Sequence, residues 1–253
     1  MKPVNLREER VGAAGVNKHG TPMTVTEYRH TDSVIVTFDC GYSVETTWRY
    51  FKLGRVKNPY DRTVYGVGYL GEGKYKTQEE LVRRDSPCYK TWTSMLQRCY
   101  SPVWQEKNPT YKGCSVAEEW HNFQNFAKWY EDNFYKVPGE VMHLDKDILV
   151  KGNKVYSKET CVFVPTGINC LILKPVMSRE LPTGVSYDRS KGRYRAKPVN
   201  GGKSRTFRTA EEAAATYKQD KETYIKSVAE SYKTAIPARL YKALIDYEVY
   251  INE

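Results

Sequence analysis

The sequence predicts an α+β fold built from small modules, and three observations carry this prediction. Short runs in which apolar residues fall on alternate positions, the pattern of half-buried strands, occur near both ends of the chain. Apolar residues at helical spacing fill two stretches in the middle and one long stretch near the C-terminus. Turn residues, chiefly glycine, separate these segments. The length of 253 residues allows one large domain or two to three small ones.

These patterns divide the chain into four segments. Residues 1–76 are predicted to form a small β-rich module, and residues 77–178 a module of helices followed by a β-hairpin. Residues 179–235 are predicted to form a three-stranded sheet backed by one helix. Residues 236–253 are predicted to form a C-terminal helix.

The first segment has the pattern of a turn-rich β region. Val34, Val36 and Phe38 fall on alternate positions, which predicts a strand, and the turn residues 39–41 that follow predict a hairpin. The glycine-rich stretch at residues 66–73 lacks the Lys-Ser or Lys-Thr pair of a phosphate-binding loop. We therefore interpret that stretch as turns.

The second segment begins with a predicted helix whose apolar side is formed by Cys88, Trp92, Met95, Leu96 and Cys99. A second helix is predicted over residues 117–134, with an aromatic stripe that we assign to core. Residues 140–169 have the pattern of a β-hairpin with its second strand at residues 161–164, and a helical turn is predicted near Pro165.

Composition limits the classes of protein. The formal charge of +10 and the isoelectric point near 9.1 favour a polyanionic partner. No apolar run approaches eighteen residues, so no membrane span is expected. Residues 1–10 are charged and lack the apolar region of a secretory signal, which predicts a cytoplasmic protein. The six cysteines form no Cys-x-x-Cys pair, which argues for free thiols and against a zinc cluster.

The third segment has the clearest local signals. Three strands are predicted at residues 184–188, 193–199 and 204–208, separated by glycine-containing turns. Thr209 and Glu212 have the spacing of a helix-capping box, and residues 210–231 contain no proline and many strong helix formers. The predicted buried stripe of this helix consists of Ala213, Ala214, Tyr217, Tyr224 and Val228.

The middle strand of this sheet carries its cations on one face. Alternation places Arg193, Arg195 and Lys197 on that face, and the apolar side of the strand packs against the helix. Three parallel cations repel one another unless an anion neutralises them, and a phosphate backbone supplies such anions. Arginine can also read guanine edges in a major groove. The alternative interpretation is a charged face that contacts only water.

Residues 184–189, 192–196 and 206–214, with the sequences GVSYDR, GRYRA and TFRTAEEAA, resemble the Apetala-type (ethylene-response-factor) DNA-binding domain. The resemblance implies that a three-stranded sheet lies in the major groove with a helix behind it. It implies base- or phosphate-facing positions for Ser186, Asp188, Arg195 and Lys197. Ser186 and Asp188 stand where the plant domains place arginines. The DNA sequence that the plant domains recognise therefore cannot be assigned to this chain. The full set of candidate DNA-binding residues is Ser186, Asp188, Arg189, Arg193, Arg195, Lys197, Lys203 and Arg205.

Residues 141–164, which include VMHLDKDI, GN, YSKETC and VFV, resemble the ββ-metal hairpin of HNH endonucleases. They also resemble the hairpins that accompany Apetala-type modules in phage homing-type proteins. Residues 89–100 and 119–126 are similar to the helices of that phage group. The resemblance therefore spans most of the chain from Pro87 onward.

The HNH resemblance implies a metal-dependent site for phosphodiester hydrolysis. His143 would be the general base, and Asp145 or Asp147, with Asn153 in the loop, would hold one hard divalent ion, magnesium or manganese. Thr160 stands where family members often carry an asparagine or histidine ligand, and threonine is a poor ligand for metals.

Two function classes remain open from the sequence. One is a metal-dependent endonuclease that binds double-stranded DNA. The other is a catalytically inactive DNA-binding protein, such as a regulator or host-takeover factor on the same scaffold, and RNA binding is a third alternative. A histidine beside a Leu-Asp pair also arises by chance, and Asp145 or Asp147 could cap the hairpin loop or pair with a lysine.

Overall fold

A computed structural model describes residues 6–79, 83–172 and 181–251. The predicted α+β class is confirmed, with eight α-helices and thirteen strands in several small sheets within the described residues. The chain divides into two compact units, the first Met1–Tyr130 and the second Glu131–Glu253. The predicted segment 77–178 is shared between the two units, and its boundary with the next segment lies outside the described residues. In the described part of the chain, no helix combines the length and apolarity needed to cross a membrane.

The first unit opens with a four-stranded antiparallel sheet in the order β1-β2-β3-β4. Its elements are α1 (Leu6–Arg10), β1 (Ala14–Val16), β2 (Pro22–His30), β3 (Ser33–Phe38), β4 (Ser43–Thr46) and α2 (Trp48–Lys52). As predicted, Val34, Val36 and Phe38 are buried on one face of β3. The predicted hairpin turn is also present: the Phe38 amide donates to the Tyr42 carbonyl at 2.8 Å, and Gly41 has a φ of 87°.

The rest of the first unit is mainly helical. Its elements are β5 (Gln78–Glu79), β6 (Arg84–Asp85), α3 (Pro87–Tyr100), α4 (Pro102–Lys107), a 3₁₀ turn (Pro109–Tyr111), β7 (Ser115–Val116), a second 3₁₀ turn (Glu118–His121) and α5 (Phe123–Asn133). Helix α3 buries Trp92, Met95, Leu96 and Cys99, as predicted. The single helix predicted over residues 117–134 is wrong. Asn122 is extended and its side-chain oxygen accepts from the Gln124 amide at 2.9 Å, which separates the 3₁₀ turn from α5.

The glycine-rich stretch packs closely against α3. A Cβ atom at Gly68 would lie 2.5 Å from Leu96 Cδ1 and 2.9 Å from the Trp92 ring. A side chain at position 68 would therefore displace core residues. The stretch is therefore a packed loop, with one short antiparallel bridge between Val64 and Gly68, which agrees with its interpretation as turns.

The described residues of the second unit form a hairpin, a three-stranded sheet and three helices. The elements are β8 (Met142–Asp145), β9 (Val155–Tyr156), β10 (Val162–Pro165), α6 (Thr166–Ile172), β11 (Val185–Asp188), β12 (Arg193–Ala196), β13 (Arg205–Phe207), α7 (Ala210–Tyr232) and α8 (Ala238–Ile245). Strand β8 pairs antiparallel with β10, and α6 follows at once, which gives a ββα arrangement. Strands β11, β12 and β13 form an antiparallel sheet in that order.

Helix α7 contributes to two hydrophobic cores. Near its start, Ala213 and Ala214 are buried against the three-stranded sheet, and Tyr217 packs at the edge of the same cluster. Near its end, Ile225 and Ala229 are buried among residues of the hairpin, α6 and α8. The predicted capping box is present, since the Thr209 hydroxyl accepts from the Glu212 amide and Glu212 accepts from the Thr209 amide. One continuous helix of 23 residues thus joins the sheet to the hairpin.

Candidate nucleic-acid interface

The register of the C-terminal sheet assigns each side chain to one of two faces. Residues directly opposite in an antiparallel pair lie on the same face. Ser186, Arg195 and Thr206 form one row across the three strands, and Asp188 and Arg193 form the next row on that same face. We call this face, which lies opposite α7, the outer face.

The other face of the sheet is the one that α7 covers. Its residues are Val185 and Ala196, both buried, together with Tyr187, Tyr194 and Phe207. Tyr187 remains 48 % exposed at the edge. The predicted sidedness of β12, with cations outward and apolar residues toward the helix, is therefore confirmed by the geometry.

Arg195 occupies the centre of the outer face and is paired with Asp188. Its Nη2 atom forms an ion pair with Asp188 Oδ2, and Asp188 Oδ1 accepts from the Ser190 amide at 3.1 Å and the Ser190 hydroxyl at 2.7 Å. The Ser190 and Arg195 hydrogen bonds lower the pKa of Asp188, so the carboxylate stays charged at neutral pH. Arg195 Nε has no hydrogen-bond partner among the described residues. Arg195 is thus held in place by Asp188, and its Nε–H group is a buried donor.

Four other predicted residues surround this centre as exposed cations. Arg193 extends from the outer face, and Lys197 is the exposed residue that follows β12, with its amide donating to the Gly184 carbonyl at 2.8 Å. Arg189 lies in the exposed turn between β11 and β12, and Lys203 in the exposed loop before β13. None of these four takes part in an ion pair within the described chain. Their charges are therefore available to an anion.

Arg205 was predicted to face DNA, and its placement contradicts this. Its register partner is Ala196, which faces α7, and its Nη2 atom pairs with Asp220 on that helix. Strand β13 has only three residues, so the preceding loop decides which face Arg205 occupies. Arg205 helps to join the sheet to α7 and is not part of the outer face.

Two further residues of this sheet and its helix were missed from the sequence. Thr206 completes the central polar row beside Arg195. Lys221 lies on α7, where burial lowers the pKa of its ammonium group and the nearby Lys197 lowers it further. The Thr206 position follows from the strand register alone, whereas Lys221 comes near Lys197 only through the packing of α7.

His143 and Asp145 lie on one face of β8. Their register partners in β10 are Val164 and Val162, respectively. His143 Nε2 lies 2.9 Å from the Thr166 hydroxyl, which itself donates to the Val141 carbonyl at 2.9 Å. Because the hydroxyl proton is used, Nε2 carries the proton that it donates to Thr166. This leaves Nδ1 as the nitrogen that could accept a proton, which suits a general base.

Asp145 is engaged by the backbone of its own loop. Its Oδ1 atom accepts from the amides of Asp147 at 2.9 Å and Ile148 at 2.8 Å. Burial raises the pKa of Asp145, and the charge of Asp147 raises it further. The carboxylate of Asp147 is exposed and lies 3.6 Å from Lys146 Nζ. Asp145 therefore has the role of a loop cap, and Asp147 lies beside a lysine.

Asn153, which was predicted to help hold a metal ion, is engaged by the backbone of its own loop. Its side-chain amide donates to the carbonyls of Lys146 at 2.7 Å and Val155 at 2.6 Å, and its oxygen accepts from the Val155 amide at 3.2 Å. The Thr160 hydroxyl likewise donates to the Val155 carbonyl at 2.9 Å. Both side chains therefore close the hairpin loop.

The predicted ligands are therefore partly engaged by other groups of the hairpin. Asn153 is used by the loop, Asp147 is beside a lysine, and one oxygen of Asp145 is used by two amides. Over residues 6–79, 83–172 and 181–251, no group of three or more His, Cys, Asp or Glu side chains could hold a metal. Of the predicted catalytic and metal-binding residues, His143 contacts α6 through the Thr166 hydroxyl.

Comparison of the chain with protein families, with curated proteins and with solved structures gave no match. The resemblance to Apetala-type and HNH proteins therefore stays a prediction from the residues.

Proposed function

We propose that this chain is a sequence-reading protein that binds duplex DNA with the outer face of its C-terminal sheet. The observation that carries the proposal is the arrangement of that face. A central row of hydrogen-bonding side chains, Ser186, Arg195 and Thr206, is flanked by exposed cations that form no ion pair within the described residues. In protein–DNA complexes, contacts to phosphates position the protein and contacts to base edges carry the specificity. The flanking cations suit the first task and the central row suits the second.

The dimensions of the sheet support the major groove as its site. Three strands at a spacing of about 4.8 Å give a backbone width of roughly 10 Å. The major groove of B-form DNA is about 12 Å wide and presents a distinct pattern of donors and acceptors for each base pair. The major groove of A-form RNA is too deep and narrow for side chains to read. These dimensions favour duplex DNA over duplex RNA.

The chemistry of the central row supports base reading. Arginine donates in bidentate fashion to guanine O6 and N7, aspartate accepts from cytosine N4, and serine and threonine can do either. Arg195 is oriented by Asp188, so little side-chain freedom would be lost on binding.

Within this proposal the hairpin is a scaffold and not a nuclease site. The supporting observation is that Asn153, Thr160 and one oxygen of Asp145 all serve the hairpin loop. Strand β10 and α6 pack into the core that also contains the end of α7. The hairpin therefore supports the helix on which the sheet lies.

A gel-shift titration with two matched variants tests DNA binding. Arg193→Ala/Lys197→Ala removes two exposed cations from the outer face and should flatten the slope of log affinity against log salt by roughly two units. Lys226→Ala/Lys242→Ala is the control, because these lysines are exposed on α7 and α8 in the same unit. The control should bind like the parent. Equal binding by all three proteins would remove the sheet from the interface.

A plasmid assay separates the binder from the endonuclease. The parent and His143→Ala are incubated with supercoiled plasmid and magnesium or manganese, and the formation of relaxed circles is followed. We expect no relaxation by either protein, and unchanged DNA binding by His143→Ala. Relaxation by the parent that is lost in His143→Ala would establish the endonuclease and refute the role of the hairpin as a scaffold.

A further inference from the structure

The first unit carries a second basic surface that the outer face of the C-terminal sheet does not include. Between Thr46 and Tyr60 the chain contains no Asp or Glu and four cations. Together with Lys18 we call these cations the α2 surface; they are Lys18, Arg49, Lys52, Arg55 and Lys57. All five side chains are exposed, and none takes part in an ion pair in the part of the chain that the structure describes.

The backbone brings these cations together around the end of α2. The amide of Arg55 donates to the Tyr50 carbonyl at 2.8 Å, which folds the chain back beside the helix. The amide of Lys18 donates to the Gly54 carbonyl at 2.8 Å, which places Lys18 against the same turn. Arg49 and Lys52 are three residues apart on α2 and so lie on neighbouring positions of the helix surface.

Two buried anchors fix the orientation of this segment. Phe51 and Val56 belong to the core of the N-terminal sheet. Val56 and Asn58 are buried while Arg55 and Lys57 are exposed, so this alternation directs both cations to solvent. The cations are therefore presented by a backbone that the core holds in place.

The two acids that flank this segment in the sequence have other partners, and Glu45 lies 3.9 Å from Arg29 and accepts from the Ser33 hydroxyl. Asp61 is buried, and its carboxylate accepts from Asn17 Nδ2 at 2.7 Å and from the Thr21 hydroxyl at 2.5 Å. Tyr50 and Leu53 are each 48 % exposed among the cations. The surface is therefore positive, with an aromatic ring and an apolar side chain at its centre.

We infer that the α2 surface is a second DNA contact, which binds the phosphate backbone without reading its sequence. Duplex DNA carries one negative charge per about 1.7 Å of helix axis, which matches a surface of exposed cations with no acid among them. A folded acidic protein would present charges of both signs, and the surface offers no anion to pair with the positive ones. Two contacts on one chain would also raise the effective concentration of each for the same duplex.

The test compares two variants of the full chain in the first unit. Lys52→Ala/Arg55→Ala/Lys57→Ala removes three cations of the α2 surface. Lys90→Ala/Lys107→Ala/Lys112→Ala removes the same charge from exposed positions on or near α3 and α4. Binding to a duplex of random sequence is measured over a series of salt concentrations, and thermal melting confirms that both variants fold. The first variant should flatten the slope of log affinity against log salt by roughly three units, and the control should leave it unchanged.

The inference rests on the proposed function for the choice of DNA, and the outcomes separate the two. If Arg193→Ala/Lys197→Ala weakens binding and the α2 variant does not, the α2 surface is refuted and the sheet stands. If only the α2 variant changes the slope, the sheet is refuted and the α2 surface stands. If poly-glutamate binds through the three cations while the DNA slope is unchanged, the surface belongs to an acidic polypeptide and the inference is overturned. If the lysine control changes the salt slope equally, the change reflects the net charge of the chain, and the inference is overturned as well.

Discussion

At the scale of single residues, the outer face depends on one charged pair. Asp188 holds Arg195, and its lowered pKa keeps it charged through the neutral range. An acid on a DNA-binding surface costs affinity, because it repels phosphates. It also orients the arginine and can accept a hydrogen bond from cytosine. On the proposed function, Asp188 would therefore lower general affinity for DNA and raise selectivity.

Replacing Asp188 tests this exchange. Asp188→Asn releases Arg195 and removes one negative charge, so affinity for duplexes of random sequence should rise and the salt slope should steepen by about one unit. Asp246→Asn is the matched control, since Asp246 is exposed at the end of α8. The measurement is a gel-shift titration at several salt concentrations. A loss of affinity in Asp188→Asn alone would mean that the carboxylate supports binding.

Asp145 predicts a dependence of stability on pH. Its pKa is raised in the folded protein, chiefly by burial, so the folded state binds the proton more tightly than the unfolded state does. The stabilisation is full below the pKa of the unfolded carboxyl and is lost as the pH rises through the folded pKa. Asp145→Asn keeps an oxygen for the two loop amides and removes the buried charge. It should therefore unfold at a higher urea concentration than the parent at pH 7.

The advantage of Asp145→Asn should shrink as the solution is acidified, because the parent carboxyl then becomes neutral as well. Urea unfolding curves at a series of pH values measure this. A variant that is less stable than the parent at pH 7 would show that the charged carboxylate of Asp145 stabilises the fold.

At the scale of elements, local signals predicted the structure well and tertiary packing limited the rest. The capping box at Thr209 was predictable because it involves residues three apart. The burial of Ile225 and Ala229 depends on α8 and the hairpin, which the pattern of α7 alone does not reveal. The break at Asn122 was missed because its side chain competes with the helix for a backbone amide.

The site residues were also predictable only where local sequence decides their position. The face of β12 followed from alternation over five residues, whereas β13 is too short for alternation to place Arg205. Asn153 was assigned to a metal from its position in the motif. Its actual partners are backbone groups of Lys146 and Val155, which only the closed loop brings together.

The junction of the sheet with α7 depends on one glycine. Gly184 has a φ of 80°, and a Cβ atom there would overlap the Tyr217 ring. Gly184→Ala should therefore lower the free energy of unfolding by roughly 1–3 kcal/mol. Gly202→Ala is the control, because nothing lies within 4 Å of its Cβ position. It should change stability by less than about 1 kcal/mol. Equal melting of the two variants would show that the junction adjusts without strain.

At the scale of the whole molecule, the net charge is +10, and two of the basic surfaces differ in composition. The outer face in the second unit combines cations with hydrogen-bonding groups, whereas the α2 surface in the first unit has cations and no acid. The first arrangement suits reading of bases and the second suits attachment to phosphates. On this proposal, the outer face supplies specificity for a DNA sequence and the α2 surface supplies general affinity for DNA.

The most direct test of the central claim is selection of bound duplexes from a random pool, followed by methylation interference. The claim predicts an enriched sequence in which methylation of guanine N7, in the major groove, blocks binding. Methylation of adenine N3, in the minor groove, should have no effect. Arg195→Ala should lose the enrichment and still bind duplexes of random sequence. A pool with no enriched sequence, or interference at adenine N3 alone, would contradict the reading of the major groove by this sheet.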